Sequence, residues 1–291
     1  MTHRTEQLGS TTASNARRLS VCFRRVRWTA VALGVGLPLV LACGRSQGRS
    51  MTAADPERQA EAECDVARDL FVNRGQPRAA ISHALKAMDL NQDNAEAAHL
   101  TALIYLYFCA TSSVDCHLDK AEKYARLAVK NRDGFREAQN TLGVVLVHQG
   151  RYDDAISVLK PLTQDIQYAT PENAWGNLGW AFLLKGEADR AIETLRQAVA
   201  LQPEFCVGQY RLGLAYEKKA DFKSARDFYS RALETDRPEC KGLQDAYAAR
   251  ARVSARIGAA DDARSDLERC RQLGSDTPAG RECAALAAKL R

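Results

Sequence analysis

The sequence predicts an all-α protein built from six helical hairpins in a row, followed by a C-terminal cap helix. Beyond residue 60 the chain repeats itself with a period of about 34 residues, which is typical of helical repeat arrays. Within each repeat, apolar residues recur at i, i+3, i+4 and i+7 along two segments of about 13 residues, the pattern of paired amphipathic helices. Because one hairpin cannot bury its apolar face alone, neighbouring hairpins are expected to stack into a continuous core.

Residues 172–205 form the clearest repeat. Its diagnostic residues are Trp175, Leu178, Gly179, Phe182, Gly186, Ala191, Leu195, Ala198 and Pro203. They resemble the tetratricopeptide repeat (TPR) consensus, in which a tryptophan, a Leu-Gly pair and alanines stand at fixed places. The resemblance implies a right-handed superhelix of hairpins, in which the first helix of each pair lines a concave groove. The glycine near position 15 of a repeat is expected to end its first helix.

The same pattern divides most of the chain into units. The six predicted repeats are 61–94, 95–135, 136–171, 172–205, 206–239 and 244–277, and residues 278–291 are predicted to form the cap helix. The second repeat carries about seven extra residues between its two helices, by comparison with the 34-residue consensus.

Residues 1–42 have the features of a bacterial export signal. A basic segment leads into the apolar run 28–41, which is too short to span a bilayer comfortably and fits the apolar region of a secretory signal. The segment 1–42 contains six arginines and one acidic residue, which leaves 35 basic and 35 acidic residues in the rest of the chain. The remainder has no basic surplus, so nucleic acid is not an expected partner.

Residues 40–43 resemble a lipobox, in which small or aliphatic residues precede an acylated cysteine. Cys43 is therefore predicted to carry the lipid that attaches the protein to a membrane, and residues 43–60 to form a flexible tether. An ordinary signal peptide with an incidental cysteine is the alternative. Because bacterial lipoproteins retained in the inner membrane tend to have aspartate after the cysteine, Gly44 favours the outer membrane, with the protein facing the periplasm.

Nine cysteines indicate an oxidising compartment. Two pairs are candidate disulfides: Cys109–Cys116 would close the insertion of the second repeat, and Cys270–Cys283 would join the last repeat to the cap helix. Cys64 and Cys206 also fit small buried sites in the repeat core, where a free cysteine is acceptable.

No catalytic site, cofactor, metal or small-molecule substrate is expected. The sequence contains no nucleophile elbow, phosphate-binding loop or HExxH motif. Cys109, Cys116 and His117 are close together, but their spacing matches no common zinc pattern. His83, His99 and His148 fall at variable repeat positions, where surface or packing roles are expected.

The expected partner-binding surface lies on the first helices of the middle repeats, at positions that point away from the packing core. The residues predicted to line this groove are Asn140, Val144, Asn173, Trp180, Leu183, Tyr210 and Leu214. Such a surface suits an extended or helical peptide of a protein partner. Trp180 is the expected centre of binding, because aromatic residues dominate interface hot spots; packing against a neighbouring helix is its alternative role.

Some TPR proteins hold a C-terminal carboxylate with five conserved polar residues. Asn177 and Arg211 occupy two of those places, whereas Val144 and Val207 replace two others and Asn140 replaces a lysine. A carboxylate clamp for a chaperone tail is therefore not expected.

A lipidated, exported chain of six TPR units resembles the type IV pilus pilotin family (the Tgl, PilF and PilW-type lipoproteins). The resemblance covers Cys43 and all six repeats. It implies an outer-membrane lipoprotein that binds secretin subunits and supports their assembly into the pilus channel, and so serves twitching and social motility. The cysteines and the insertion are departures from the smaller members. Two other functions stay open: a general envelope scaffold that tethers cell-wall or division proteins, and a regulatory lipoprotein of cargo secretion.

Overall fold

The computed structural model describes residues 55–111, 114–237 and 240–290. These residues form thirteen α-helices, and no strand occurs among them. The helices are α1 (Pro56–Arg68, continued by a π-helical turn, Asp69–Asn73), α2 (Pro77–Leu90), α3 (Ala95–Thr111), α4 (Leu118–Asn131), α5 (Arg136–His148), α6 (Tyr152–Leu162), α7 (Pro171–Lys185), α8 (Ala188–Leu201), α9 (Cys206–Lys218), α10 (Phe222–Glu234), α11 (Gln244–Arg256), α12 (Ala260–Leu273) and α13 (Pro278–Lys289). Within the described part of the chain, no helix has the length and apolar character needed to cross a membrane. The predicted export signal 1–42 and Cys43 lie outside the described residues.

Successive helices pair into hairpins, and the hairpins stack. α1 packs on α2, α3 on α4, and so on to α11 on α12, while α13 packs on the last hairpin. The first helices α5, α7, α9 and α11 also contact one another in order, so they form a layer of their own. A continuous cluster of buried apolar side chains runs from Ala102 in α3 to Val253 in α11. The predicted all-α array of six hairpins with a C-terminal cap helix is confirmed.

Small residues let the two helices of a hairpin approach closely. A Cβ atom built on Gly179 in α7 would lie 2.5 Å from Cγ of Leu195 in α8, and one built on Gly213 in α9 would lie 2.5 Å from Cδ1 of Tyr229 in α10. Any larger side chain at these glycines would force the hairpin apart. Ala191, at position 20 of its repeat, is fully buried in the facing helix. The spacing of glycine and alanine thus fixes how closely each pair of helices packs.

The first helix begins earlier than the sequence predicts. The tether was expected to extend over 43–60, but α1 starts at Pro56. Asp55 caps the helix by accepting a hydrogen bond from the Glu57 backbone N–H, and proline is favourable at a first helical position. Ala60 is fully buried, so the first turns of α1 already belong to the packed array.

The insertion of the second repeat lengthens α3 and then closes on itself. α3 has 17 residues, against 13 in the first helix of the third repeat. A disulfide joins Cys109 near the end of α3 to Cys116 just before α4. Since both thiols are used in this bond, they are not available as ligands for a metal beside His117.

Two further disulfides lie in the C-terminal half. Cys270 of α12 is bonded to Cys283 of α13, which fastens the cap helix to the last hairpin. Cys206, at the start of α9, is bonded to Cys240 in the segment that follows α10. The interpretation of Cys206 as a free core cysteine is wrong: it is buried, but it forms a small apolar cluster with Cys240 and Ala232 around their bond. Among the described residues, Cys64 is the free and buried cysteine.

Two repeats lack the glycine that is expected to end the first helix: the second has Cys109 at position 15, within the longer α3, and the fifth has Ala220. At position 15 of their repeats, Gly150, Gly186 and Gly258 have positive φ, as the left-handed conformation after a helix requires. Ala220 takes this place in the fifth repeat with a φ of 59°. A residue with a Cβ atom is strained in this conformation, at a cost of roughly 1–2 kcal/mol.

We expect Ala220→Gly to stabilise the protein by about 0.5 kcal/mol, since relief of the left-handed strain exceeds the entropy that glycine adds to the unfolded chain. The same replacement at Ala200, exposed within α8, should destabilise the protein by about 1 kcal/mol, the ordinary cost of glycine in a helix. Urea unfolding of the two variants measures the difference. Equal losses of stability in both would show that Ala220 carries no strain.

Candidate functional site

A cleft opens between the C-terminal ends of α7, α9 and α11. Its volume is about 560 Å³. The apolar residues that line it are Trp180, Leu183, Leu184, Leu214, Ala220 and Phe222, and the charged residues are Glu217, Lys218, Arg252 and Arg256. Three consecutive repeats therefore contribute to one site. Leu184 is 41% exposed, so part of its side chain is open to solvent in the cleft.

The structure brings three of the seven predicted groove residues together in this cleft: Trp180, Leu183 and Leu214. Trp180 and Leu214 are half-buried, and Leu183 is buried. The Trp180 ring packs against the main core, which was its alternative role, and it also lines the cleft.

The other four predicted residues lie outside the cleft. Tyr210 packs against the Tyr229 ring, with the ring centroids 5.8 Å apart, and burial raises the pKa of its hydroxyl. Asn140 and Val144 are half-buried on α5, and Asn173 is half-buried in the first turn of α7. The predicted groove is therefore divided between the cleft and a row of side chains beside it.

A polar row crosses the first helices next to the cleft. Asn177 Nδ2 on α7 donates to Asn140 Oδ1 on α5 at 3.0 Å. An Nη atom of Arg211 on α9 donates to Asn177 Oδ1 at 2.8 Å and to the Gly176 carbonyl at 3.1 Å. The Arg211 guanidinium also lies over the Trp180 ring, 5.3 Å from its centroid. These contacts join α5, α7 and α9 and hold the indole of Trp180 in place.

Arg211 carries a charge that its surroundings do not balance. Within the described residues no carboxylate lies within 4 Å of its guanidinium, and both of its hydrogen-bond acceptors are neutral. Burial lowers the pKa of Arg211 to about 10, because the charged form loses its hydration. The guanidinium remains protonated at neutral pH.

A second network fixes the other side of the cleft. Nε and Nη2 of Arg252 on α11 donate to the two carboxylate oxygens of Glu217 on α9 at 2.7 and 3.0 Å. Nη1 of Arg252 donates to Glu282 on α13 at 2.6 Å, and the Tyr229 hydroxyl on α10 donates to Glu217 at 2.7 Å. Two-point pairing of arginine with a carboxylate is strong and directional. The network therefore sets the orientation of the fifth and sixth repeats and the cap helix.

Glu217 is stabilised in its ionised form. Burial alone would raise the pKa of this carboxyl, but the hydrogen bonds from Arg252 and Tyr229 outweigh that effect, so the pKa lies below its ordinary value. The negative charge of Glu217 is thus matched by Arg252 within the network.

Several cleft residues were not predicted from the sequence, although their positions in the 34-residue repeat could have indicated them. Trp180 and Leu214 are at position 9 of their repeats, and Arg252 is at the same position of the sixth. Leu184 and Arg256 both hold position 13 of their repeats, one place after the set assumed to face the groove. Extending the register to the last repeat and to position 13 recovers them. Phe222 begins a second helix, so no groove position would have indicated it.

The arrangement can bind an apolar side chain and charged groups beside it. The cleft has an apolar lining, a charged rim and walls drawn from three repeats, as sites for peptide segments commonly do. Within the described part of the chain, no cluster of three or more His, Cys, Asp or Glu side chains is placed to hold a metal ion.

We expect Glu217→Gln to lower the free energy of unfolding at neutral pH by about 1–3 kcal/mol, because Arg252 loses a charge-assisted partner. A lowered pKa in the folded state means that the carboxylate stabilises the fold above pH 4.5 and that this contribution is lost as the pH falls through the lowered value. The deficit of the variant should therefore shrink on acidification below pH 4.5. Unfolding at a series of pH values tests this, with Glu193→Gln on the exposed face of α8 as control. If the loss of unfolding free energy in Glu217→Gln is the same at every pH, the proposed stabilisation by the ionised Glu217 is wrong.

Comparison with known proteins identifies the repeats. Residues 172–205 and 208–238 match one tetratricopeptide repeat model, and residues 117–169 match a second. Anaphase-promoting complex subunit 3 of Schizosaccharomyces pombe is 38% identical over 64 residues, which are 22% of this chain. The chain spans 10% of the length of that relative, so the match concerns the repeats alone.

Solved structures show the same architecture over most of the chain. The structure of Pseudomonas aeruginosa pilF has a TM-score of 0.58 and 18% identity, over 79% of this chain and 98% of the other. PilW, described as a widely conserved type IV pilus biogenesis factor, gives 0.62 and 18%, over 76% and 96% of the two chains. A tetratricopeptide repeat protein of Parabacteroides merdae gives 0.64 and 12%, over 79% and 84%. At these identities the similarity shows the fold: the chain contains tetratricopeptide repeats and has the superhelical fold of that class, as predicted.

Proposed function

We propose that this protein is an outer-membrane lipoprotein of the pilotin type, which binds a type IV pilus secretin and supports its assembly. The observation that carries the proposal is the architectural match to PilF and PilW, which extends over nearly the whole of both proteins and about three quarters of this chain. The cleft at the ends of α7, α9 and α11 supplies a place for a protein segment. A protein-binding scaffold is the common role of tetratricopeptide repeats.

Export to an oxidising compartment is part of the proposal. Three disulfides occur among the described residues, and such bonds persist outside the reducing cytosol. The sequence of 1–42 and the lipobox at 40–43 agree with export and acylation. Acyl chains on Cys43 would hold the protein at the outer membrane, facing the periplasm, because two or more chains give durable attachment.

The proposed role in secretin assembly combines the repeat array with the lipid on Cys43. A secretin subunit on its way to the outer membrane exposes surface that will later be buried between subunits, and such surface aggregates. The repeat array would cover part of it, with a side chain of the subunit held against Trp180 and Leu214 in the cleft. The lipid would bring the bound subunit to the membrane in which it assembles.

The proposal is tested by deleting the gene and restoring it as wild type or as Trp180→Ala. The deletion should abolish heat-resistant secretin multimers and surface pili. Trp180→Ala should weaken subunit binding by at least about 2 kcal/mol, the effect of removing an interface hot spot, and should fail to restore the multimers. Trp175→Ala is the matched control, since this half-buried tryptophan of α7 lies in a different crevice formed with α6 and α8. Intact multimers with altered cell shape would contradict the proposal and favour an envelope scaffold for cell-wall or division proteins.

The lipid attachment is tested separately with Cys43→Ala. The thiol is the only group at this position that can be acylated, so the variant should fold normally and leave the outer-membrane fraction for the soluble periplasmic or unprocessed pool. Membrane fractionation and mass spectrometry of the mature N-terminus measure the change. An unaltered outer-membrane fraction would show that Cys43 does not attach the protein.

A further inference from the structure

We infer that the cleft recognises an acidic segment of the partner, in which a large apolar side chain is flanked by carboxylates. The inference rests on the proposed role of the cleft as the partner-binding site, and it adds the chemistry of the occupant. It follows from the charged residues around the apolar lining of the cleft. These residues belong to this chain, and the similarity of its fold to other tetratricopeptide repeat proteins does not determine them.

Both aromatic rings that line the cleft carry a guanidinium group. Arg211 lies over the Trp180 ring at 5.3 Å from its centroid, and Arg256 lies over the Phe222 ring at 5.2 Å. Arg256 and the exposed Lys218 at the end of α9 belong to the lining of the cleft, whereas Arg211 lies beside the cleft, in contact with the Trp180 ring. No carboxylate in the described part of the chain comes within 4 Å of any of these three cations.

The acidic groups nearby are already engaged. Glu217, the acidic residue that lines the cleft, is held in the two-point pair with Arg252. Asp221 lies in the chain between two lining residues, but its carboxylate caps α10 by accepting hydrogen bonds from the Ser224 backbone and hydroxyl. The lining of the cleft therefore holds three cationic side chains, Lys218, Arg252 and Arg256, against the single carboxylate of Glu217.

A carboxylate on the partner would offset an existing cost. Arg211 is partly buried and bonded only to neutral oxygens, so a buried positive charge is poorly compensated before binding. A carboxylate that reaches this guanidinium forms a charge-assisted hydrogen bond, which is stronger than the bond to an amide oxygen. The apolar lining meanwhile accommodates one large side chain, since sites of about 300–1,000 Å³ bury ligands of this size. A basic or neutral segment would gain only the apolar contact.

The test is selection of binders from a random peptide display library by the detergent-solubilised full-length protein. Peptides that Trp180→Ala fails to retain are taken as cleft binders, and their composition is read by sequencing. Aspartate or glutamate should be enriched beside a large apolar residue. Fluorescence anisotropy then compares each selected peptide with its amide form, in which Asp and Glu become Asn and Gln. We expect affinity to fall about tenfold or more, as the loss of one charge-assisted bond requires.

The protein is varied in the same assay. Arg256→Gln should weaken the acidic peptide about tenfold and leave its amide form unchanged. Arg211→Gln should weaken the acidic peptide more than the amide form, and it should also weaken the amide form because the Trp180 ring loses its support. Arg264→Gln, an exposed arginine of α12 outside the cleft, is the control. Arg256 is exposed, so its replacement leaves the fold intact even if that of Arg211 does not.

Three results would overturn the inference. Cleft binders of neutral or basic composition would show that the cleft binds protein segments without this preference, and the proposed function would stand. Equal effects of Arg256→Gln and Arg264→Gln would lead to the same conclusion. If no selected peptide depends on Trp180 for binding, both the inference and the role of the cleft are wrong. The pilotin proposal is then still tested separately, by the effect of gene deletion on pili.

Discussion

The close approach of the two helices within a hairpin determines how the hairpins of this protein stack. Gly179 and Gly213 leave no room for a side chain beneath Leu195 and Tyr229, so the two helices of the fourth hairpin and of the fifth hairpin pack at close range. Because a hairpin buries its apolar face only against its neighbours, this distance propagates along the stack. The first helices then stand side by side, and their exposed positions form one surface.

Interactions across repeats convert that stack into a defined site. Arg211 bridges α9 to α7, and Arg252 joins α11 to α9 and α13. Each arginine uses the geometry of its guanidinium to fix two elements at once, which a lysine would not do. The difference between them is informative. Arg252 is paired with two carboxylates, whereas Arg211 donates to neutral oxygens.

Much of the fold could be predicted from the sequence because the repeat carries its own register. Alanine at position 20 and glycine at positions 8 and 15 mark the hairpins, and Ala191 is buried as that register requires. The start of α1 was missed because the cap at Asp55 precedes the first recognisable repeat residue. The bond between Cys206 and Cys240 has a sequence separation of 34, so spacing gave no reason to pair them. The short separations of the other two pairs did give one, and the structure joins both.

The candidate site was harder to predict for a physical reason. The residue types at the groove positions differ from one repeat to the next. The repeat pattern therefore shows on which face a side chain lies, but it does not show which neighbouring side chains it contacts. Leu183 and Leu214 were expected on the same face, but only the packed structure shows that α11 completes a cleft around them.

Photo-crosslinking in living cells tests whether the cleft binds the proposed partner. A photoreactive amino acid at Leu184, 41% exposed in the cleft, is compared with one at Leu201, 52% exposed at the end of α8 and away from it. If the cleft binds the partner, we expect a crosslink to the secretin subunit from position 184 and little or none from position 201. Absence of the crosslink at 184, or equal yield at both positions, would contradict it.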